Sequence, residues 1–228
     1  MFIKDFLFPK FCLGCGFVCN YLCPKCQNKL SYLDCDFCCY CGRSSLYGLT
    51  HPICQRRRGI DGTMAIFHYN NLLKTVIKNI KYRLSTDVWQ ELCSLIKPER
   101  LNKISFYKKL DQKFFLQQIS LHKIKFKERG FNQAEIITQF FNRFLNFPVS
   151  DCLIRTKQTQ SQAQIKDNKK RYLNMKGAFI VNDKNLVCDK NIILIDDVLT
   201  TGSTVKEAAF VLKAKGAQRI FVLTLAKG

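Results

Sequence analysis

The chain has 228 residues with 37 Lys+Arg against 17 Asp+Glu, a formal net charge of +20. A hydrophobic content of 47% excludes a disordered chain, and the sequence holds no apolar run of about 18 residues of the kind a spanning helix needs. A basic field of this size favours polyanionic partners such as nucleic acid, or an anionic membrane face; drift toward Lys, Asn, Ile and Phe is the other source of the charge.

The first residues, MFIKDFLFPKFC, carry Lys4 and Asp5 among their apolar residues. They are expected to be part of the fold rather than a secretory leader, in a cytoplasmic protein. Thirteen cysteines follow, nine of them between Cys12 and Cys41. In a cytosolic chain such crowding points to metal rather than disulfides. Four pairs have ligand spacing: Cys12 with Cys15, Cys23 with Cys26, Cys38 with Cys41, and His51 with Cys54. A pair spaced by two residues presents both side chains to one ion, and two pairs complete a tetrahedral zinc site. The expectation is two structural zinc ions. Neighbouring pairs could share an ion, or alternating pairs could cross over. Cys19, Cys35 and Cys39 are left over, and Cys39 sits where it could compete with Cys38. A segment this small has few large apolar residues, so metal would supply much of its folding energy. Residues 1–58 are therefore expected to form a cysteine-rich zinc module, closed by Gln55-Arg56-Arg57-Arg58-Gly59, and residues 59–228 a second domain. The arginine run reads first as a solvated linker.

From residue 60 the pattern becomes periodic. A strand is expected at 63–69, then a helix at 70–83 with Leu73, Ile77 and Ile80 on one face. A helix at 87–97 and a strand at 113–119 come next. Residues 132–145 carry Ile137, Phe140, Phe141 and Phe144 at the spacing of a buried stripe, with Asn132 as cap. Short strands are expected at 152–156 and 191–196, a helix at 203–215 stopped by Gly216, and a last strand at 219–226. Strands alternating with helices predict an α/β fold with a mainly parallel sheet.

The stretch Ile192–Thr204 reads IILIDDVLTTGST. Its unalternating apolar start is that of a central strand covered on both faces. In open parallel sheets, ligands bind at the carboxyl ends of strands. There stand Asp196 and Asp197, followed by Thr200, Thr201, Gly202, Ser203 and Thr204 ahead of a helix N-terminus. Such a loop can cradle a phosphate through free N–H groups and hydroxyls. The carboxylates can accept hydrogen bonds from sugar hydroxyls or hold Mg2+ through water. A ribose 5-phosphate satisfies both halves. The Gly-Lys-Ser/Thr ending of a Walker A loop is missing.

This stretch resembles the phosphoribosyl-pyrophosphate motif of type I phosphoribosyltransferases. The resemblance assigns ribose contacts and the catalytic role to Asp196 and Asp197, and the 5-phosphate to Thr200 through Thr204. Further along the chain the sequence resembles the ComF (competence protein F, GntX-like) family, in which a double zinc ribbon precedes such a domain. The segments are Ile80–Arg83 (IKYR), Arg129-Gly130-Phe131-Asn132-Gln133, and Gln162, Arg171, Asn174 and Phe179 of residues 159–179. One segment departs: where that family carries Pro-Val-Pro-Leu-His, this chain has Gln118-Ile119-Ser120-Leu121-His122. That puts the pyrophosphate grip in question. Basic side chains near Lys125, Lys127 and Arg129 are available to neutralise pyrophosphate; a flexible basic loop is the alternative reading.

The resemblance implies a cytoplasmic protein, at the inner membrane face in one variant, that handles single-stranded DNA during natural transformation. Its implied partners are single-stranded DNA, phosphoribosyl pyrophosphate or another ribose 5-phosphate ligand, and a DNA-uptake helicase or translocation machinery. Its implied cofactors are two zinc ions and Mg2+ with phosphoribosyl pyrophosphate. An active Mg2+-dependent phosphoribosyltransferase is the second reading, and a non-catalytic docking scaffold the third.

Overall fold

The computed structural model describes residues 9–83, 86–110, 114–160, 162, 165 and 167–228. The reading of the first eight residues as part of the fold lies outside that set, as does Lys113 at the start of an expected strand. Among the described residues no helix is long and apolar enough to cross a membrane.

Among the described residues seven strands form: β1 (Gly62–His68), β2 (Phe114–Gln118), β3 (Val149–Ser150), β4 (Leu153–Arg155), β5 (Phe179–Val181), β6 (Asn191–Leu199) and β7 (Arg219–Lys227). Five of them make a parallel sheet in the order β1-β7-β6-β2-β3. β4 and β5 pair antiparallel as a separate ribbon. The expected α/β architecture with a mainly parallel sheet is present; the 152–156 strand belongs to the ribbon and not to the sheet.

β6 and β7 lie at the centre and explain the apolar runs. Ile193, Ile195, Phe221 and Leu223 feed one core, and Ile192, Leu194, Ile220 and Val222 the other. Alternation to two covered faces leaves no polar side to the strands. On the first face lie α2 (Asn71–Arg83), through Leu73, Val76, Ile77 and Ile80, and α7 (Gln133–Leu145), through Ile137, Phe140 and Phe141. α3 (Thr86–Ser94) packs there too, Trp89 meeting Phe140 edge-on at 5.7 Å. Asn132 caps α7, its Oδ1 accepting from the Ala134 amide at 3.1 Å. On the second face lies α9 (Ser203–Ala214), through Val205, Ala208, Ala209 and Leu212.

Sequence periodicity does not foretell four helices: α4 (Pro98–Ile104), α5 (Phe106–Leu110), α6 (Lys123–Arg129) and α8 (Asn168–Met175). α6 and α8 are rich in charge and bury almost nothing, so no apolar stripe announces them. Their ends are signalled chemically instead. His122 Nδ1 accepts from the Ile124 amide at 3.4 Å at the start of α6, and Gly130 closes it in the left-handed region. Asp167 caps α8 by accepting from the Lys170 amide at 2.7 Å.

The cysteine-rich segment, which includes the short helix α1 (Pro24–Gln27), leans on the β1 edge. Leu22 and Leu30 enter the first core. Glu91 of α3 accepts from the Tyr21 and Leu22 amides at 3.0 and 2.7 Å. The arginine run is packed rather than merely solvated at two positions: Arg56 lies over the Tyr40 ring at 4.6 Å, and Arg58 over Phe210 at 5.2 Å.

Asp36 and Arg100 form a buried ion pair between this segment and α4, and Arg100 Nε also donates to the Ala65 carbonyl at 2.8 Å. Replacing Asp36 by Ala leaves that guanidinium buried without its counter-charge, an expected cost of about 3–5 kcal/mol. The D36A/R100M double variant should recover much of it. Urea unfolding of the single and double variants measures both.

Candidate functional site

The segment before β1 repeats one small design. Cys12-Leu13-Gly14-Cys15-Gly16 and Cys38-Cys39-Tyr40-Cys41-Gly42 form matching turns. The Cys12 and Cys38 amides donate to Phe17 and Arg43 at 2.9 and 3.0 Å, and Gly16 and Gly42 return their amides to Cys12 and Cys38. Cys23-Pro24-Lys25-Cys26 and His51-Pro52-Ile53-Cys54 are the second halves, each a single tight helical turn begun by proline. His51 thus stands where Cys23 stands in the first copy.

The fold brings neighbouring pairs together. Cys12, Cys15, Cys23 and Cys26 form one group and Cys38, Cys41, His51 and Cys54 another, with ligand atoms within 4.8 Å of one another in each. Each group could hold a metal ion, and the donor sets suit zinc. The crossed-over pairing is not the one formed. Cys39 takes no place in the second group; it lies half-buried near Thr50 Oγ1 at 3.9 Å. His51 presents Nδ1 to Cys41 Sγ at 3.3 Å while Nε2 faces the Ser44 carbonyl at 3.1 Å. A ligating imidazole is ordinarily oriented in this way, by a hydrogen bond from its other nitrogen.

The second constellation sits at the carboxyl end of the parallel sheet. β6 runs past the acidic pair to Leu199, because Asp196, Val198 and Leu199 keep their register with Thr224, Ala226 and Lys227 of β7. The pair is therefore held inside a strand rather than in the loop after it. Asp197 forms an ion pair with Lys81 of α2, and its amide donates to Asp196 Oδ1 at 2.9 Å.

Two adjacent carboxylates, Asp197 buried and Asp196 half-buried, cannot both hold a charge cheaply. Burial, and then the charge of Asp197, raise the Asp196 carboxyl well above the ordinary carboxylate range. Burial works against the charge on Asp197 as well, but the Lys81 ammonium outweighs it and holds that carboxyl below its usual value.

After β6 the chain turns through Thr200 and Thr201 to Gly202, which caps α9 at φ +72°. A β-carbon at Gly202 would be strained by that φ and would stand 3.2 Å from Lys206 Cε. Thr201 and Ser203 hydroxyls are 2.8 Å apart, Lys206 Nζ donates to the Thr201 carbonyl at 2.9 Å, and Arg171 Nη1 approaches Thr200 Oγ1 at 3.5 Å.

The acidic pair and the loop border one cavity of about 360 Å³. Asp196, Asp197, Thr200, Thr201, Gly202, Ser203, Thr204 and Arg129 all line it, together with five further basic side chains, Lys74, Lys81, Lys125, Arg155 and Arg171. Burial first, then Arg155 and Arg129, pull the Lys125 ammonium below its normal value. Cations crowded in this manner gain when an anion joins them.

Lys127 is not brought into the cavity. Residues 125 and 129 stand four apart on one face of α6, while 127 lies two residues round the helix and is exposed. Lys125 takes the inward place. Lys81 and Arg155 carry no signal in the sequence beyond the IKYR resemblance and a short apolar strand; topology alone delivers them. Gln162 and Arg171, noted for their resemblance, line the cavity as well.

In the departing segment, the Ile119 amide donates to Ile195 at 2.9 Å, its carbonyl accepts from Asn132 Nδ2 at 3.1 Å, and Ser120 Oγ donates to Leu153. Without either proline the turn is tied to β6, α7 and the ribbon.

Comparison with known proteins agrees with this geometry. Residues 129–228 match the phosphoribosyl transferase domain family. Competence protein F of Haemophilus influenzae is 29% identical over 213 residues, 91% of each chain. Competence protein ComFC of Bacillus subtilis is 29% identical over 208 residues, 86% of this chain and 79% of its own. DNA utilization protein YhgH of Escherichia coli K12 is 35% identical over 100 residues, 43% of each chain.

The two groups predict two zinc ions per chain. A colorimetric chelator added to the denatured protein should release both, and His51→Ala should lower the yield toward one.

Proposed function

Taking the chain as a ComF-family homologue that carries a phosphoribosyl transferase domain over residues 129–228, we propose that it acts in the cytoplasm on single-stranded DNA during natural transformation and binds phosphoribosyl pyrophosphate. On this reading residues 1–58 are the metal module and residues 59–228 the ligand-binding domain. The observation that carries it is the cavity at the end of β6, in which an acidic pair, a hydroxyl-rich loop at a helix N-terminus and six cations face one space.

Each part has a chemical task. The loop Thr200–Thr204 receives the 5-phosphate, through hydroxyls and the amides that open α9. Asp196 and Asp197 accept from the ribose hydroxyls. Lys125, Arg129 and Arg155 face the pyrophosphate, a group whose charge relieves their mutual repulsion. The carboxylate oxygens of Asp196 and Asp197 are hard donors that suit Mg2+ held through water, and the ion would supply further neutralisation of pyrophosphate. Displacement at the anomeric carbon would require little from the chain beyond this positioning and charge. DNA would be held by the basic surface, with exposed Phe126 and Tyr172 beside cavity residues Lys125 and Arg171 available for stacking. The competence proteins among the relatives support the cellular role.

Calorimetric titration of Mg2+ and phosphoribosyl pyrophosphate into zinc-loaded protein tests the ligand. The D196N/D197N variant should bind at least about tenfold more weakly, some 1.4 kcal/mol. No heat from correctly folded wild type would sink the phosphoribosyl reading and leave the loop as a candidate contact for a DNA phosphate. The pH dependence has a definite sign. Ionised Asp196 accepts more strongly from ribose hydroxyls, on both oxygens, and attracts Mg2+ as the neutral acid does not, so affinity should rise with pH through its elevated pKa and then level off. Titrations in buffers of different ionisation enthalpy should show proton release, and D196N should abolish it.

A further inference from the structure

The second cysteine group and the phosphate loop are joined by a short chain of contacts. Tyr40 lies inside the Cys38–Cys41 turn. Its hydroxyl accepts from the Ile60 amide at 2.8 Å, and its ring packs against the core that α9 covers. Lys206 Nζ lies 5.4 Å from the centre of that ring. The same ammonium donates to the Thr201 carbonyl at 2.9 Å, and its stem passes over Gly202.

We propose that Lys206 is a positioning residue that ties the phosphate loop to the second metal group through Tyr40, so that loss of metal from that group loosens the loop. The physical step is local. A trans peptide is planar, with its carbonyl and N–H pointing in opposite directions. Holding the Thr201 carbonyl toward Lys206 fixes the Gly202 N–H in the opposite direction within the same plane. The ammonium is itself held by the face of Tyr40, whose place depends on the folded Cys38–Cys41 turn. Metal binding and local folding are one process in such a turn, so an empty site frees Tyr40 and, with it, Lys206. The first cysteine group is built alike but packs on Leu72 of α2 and near Glu91 of α3, and so supplies an internal control.

The effect on ligand affinity rests on the phosphoribosyl reading; the coupling itself does not. Amide hydrogen exchange of the full zinc-loaded chain therefore tests the coupling without any ligand. Lys206→Met and Cys41→Ser should each speed exchange in residues 199–205, by about threefold or more, while β7 stays protected. Cys15→Ser should leave those residues unchanged. The K206M/C41S double variant should add little to either single change, as expected when two positions act along one path. K206M keeps all eight metal ligands, so its zinc content should equal that of wild type. Unchanged exchange at 199–205 in K206M would overturn the proposal, as would equal effects of C15S and C41S. If C41S unfolds, Tyr40→Leu, which keeps all eight metal ligands, takes its place, and exchange at 199–205 unchanged in that variant would overturn the proposal. A coupling seen in exchange, with no binding of phosphoribosyl pyrophosphate, would uphold this inference and reject the ligand assigned in the preceding section.

Discussion

Two carboxylates side by side at the buried end of a central strand are the constraint around which this site is arranged. Asp196 and Asp197 belong to β6, where the register of Asp196 and Val198 with Thr224 and Ala226 of β7 fixes the two carboxylates side by side at the cavity wall. Their mutual repulsion must be met where they stand. Lys81 of α2 meets Asp197 directly, and the ribbon brings Arg155 to the same cavity. The helices and the ribbon thus supply charge to the strand as well as apolar cover.

The same arrangement explains why the remaining cations gather there. Arg129 and Lys125 share one face of α6, Arg171 comes from α8, and Lys74 from α2. Each comes from an element with its own structural reason to exist. Their convergence leaves a cavity with far more positive than negative side chains, suited to a ligand with several phosphates and a polar sugar between them. The cysteine-rich segment stands beside this cavity rather than apart from it, since its Leu22 and Leu30 enter the main core and its Tyr40 faces Lys206.

The sequence made the centre of the fold legible and its margins less so. Ile192–Ile195 and the Phe stripe of residues 137–144 revealed themselves because period and burial coincide. The phosphate loop was legible because hydroxyls, glycine and a helix start occur together. α6 and α8 were not, because charged helices that bury almost nothing carry no periodic signal. For the same reason Lys127 read as well as Lys125, although only the latter turns inward. The pairing of the cysteine turns was open because all four share one spacing; the repeat of Cys23-Pro24 by His51-Pro52 is a signal in the sequence that would have aligned them. Lys81 was marked only by the IKYR resemblance and Arg155 by no pattern, since the packing of α2 and of the β4–β5 ribbon against the sheet sets them at the cavity.

Phosphorus NMR tests the central claim most directly, because the 5-phosphate of phosphoribosyl pyrophosphate gives a line separate from its pyrophosphate. The account predicts that the wild-type protein shifts or broadens the 5-phosphate line, and that Gly202→Val, which forces a side chain into a left-handed position against Lys206, returns that line toward its free position. A 5-phosphate line unmoved by folded wild-type protein, with only the pyrophosphate lines perturbed, would contradict the assignment of Thr200–Thr204 as the phosphate loop.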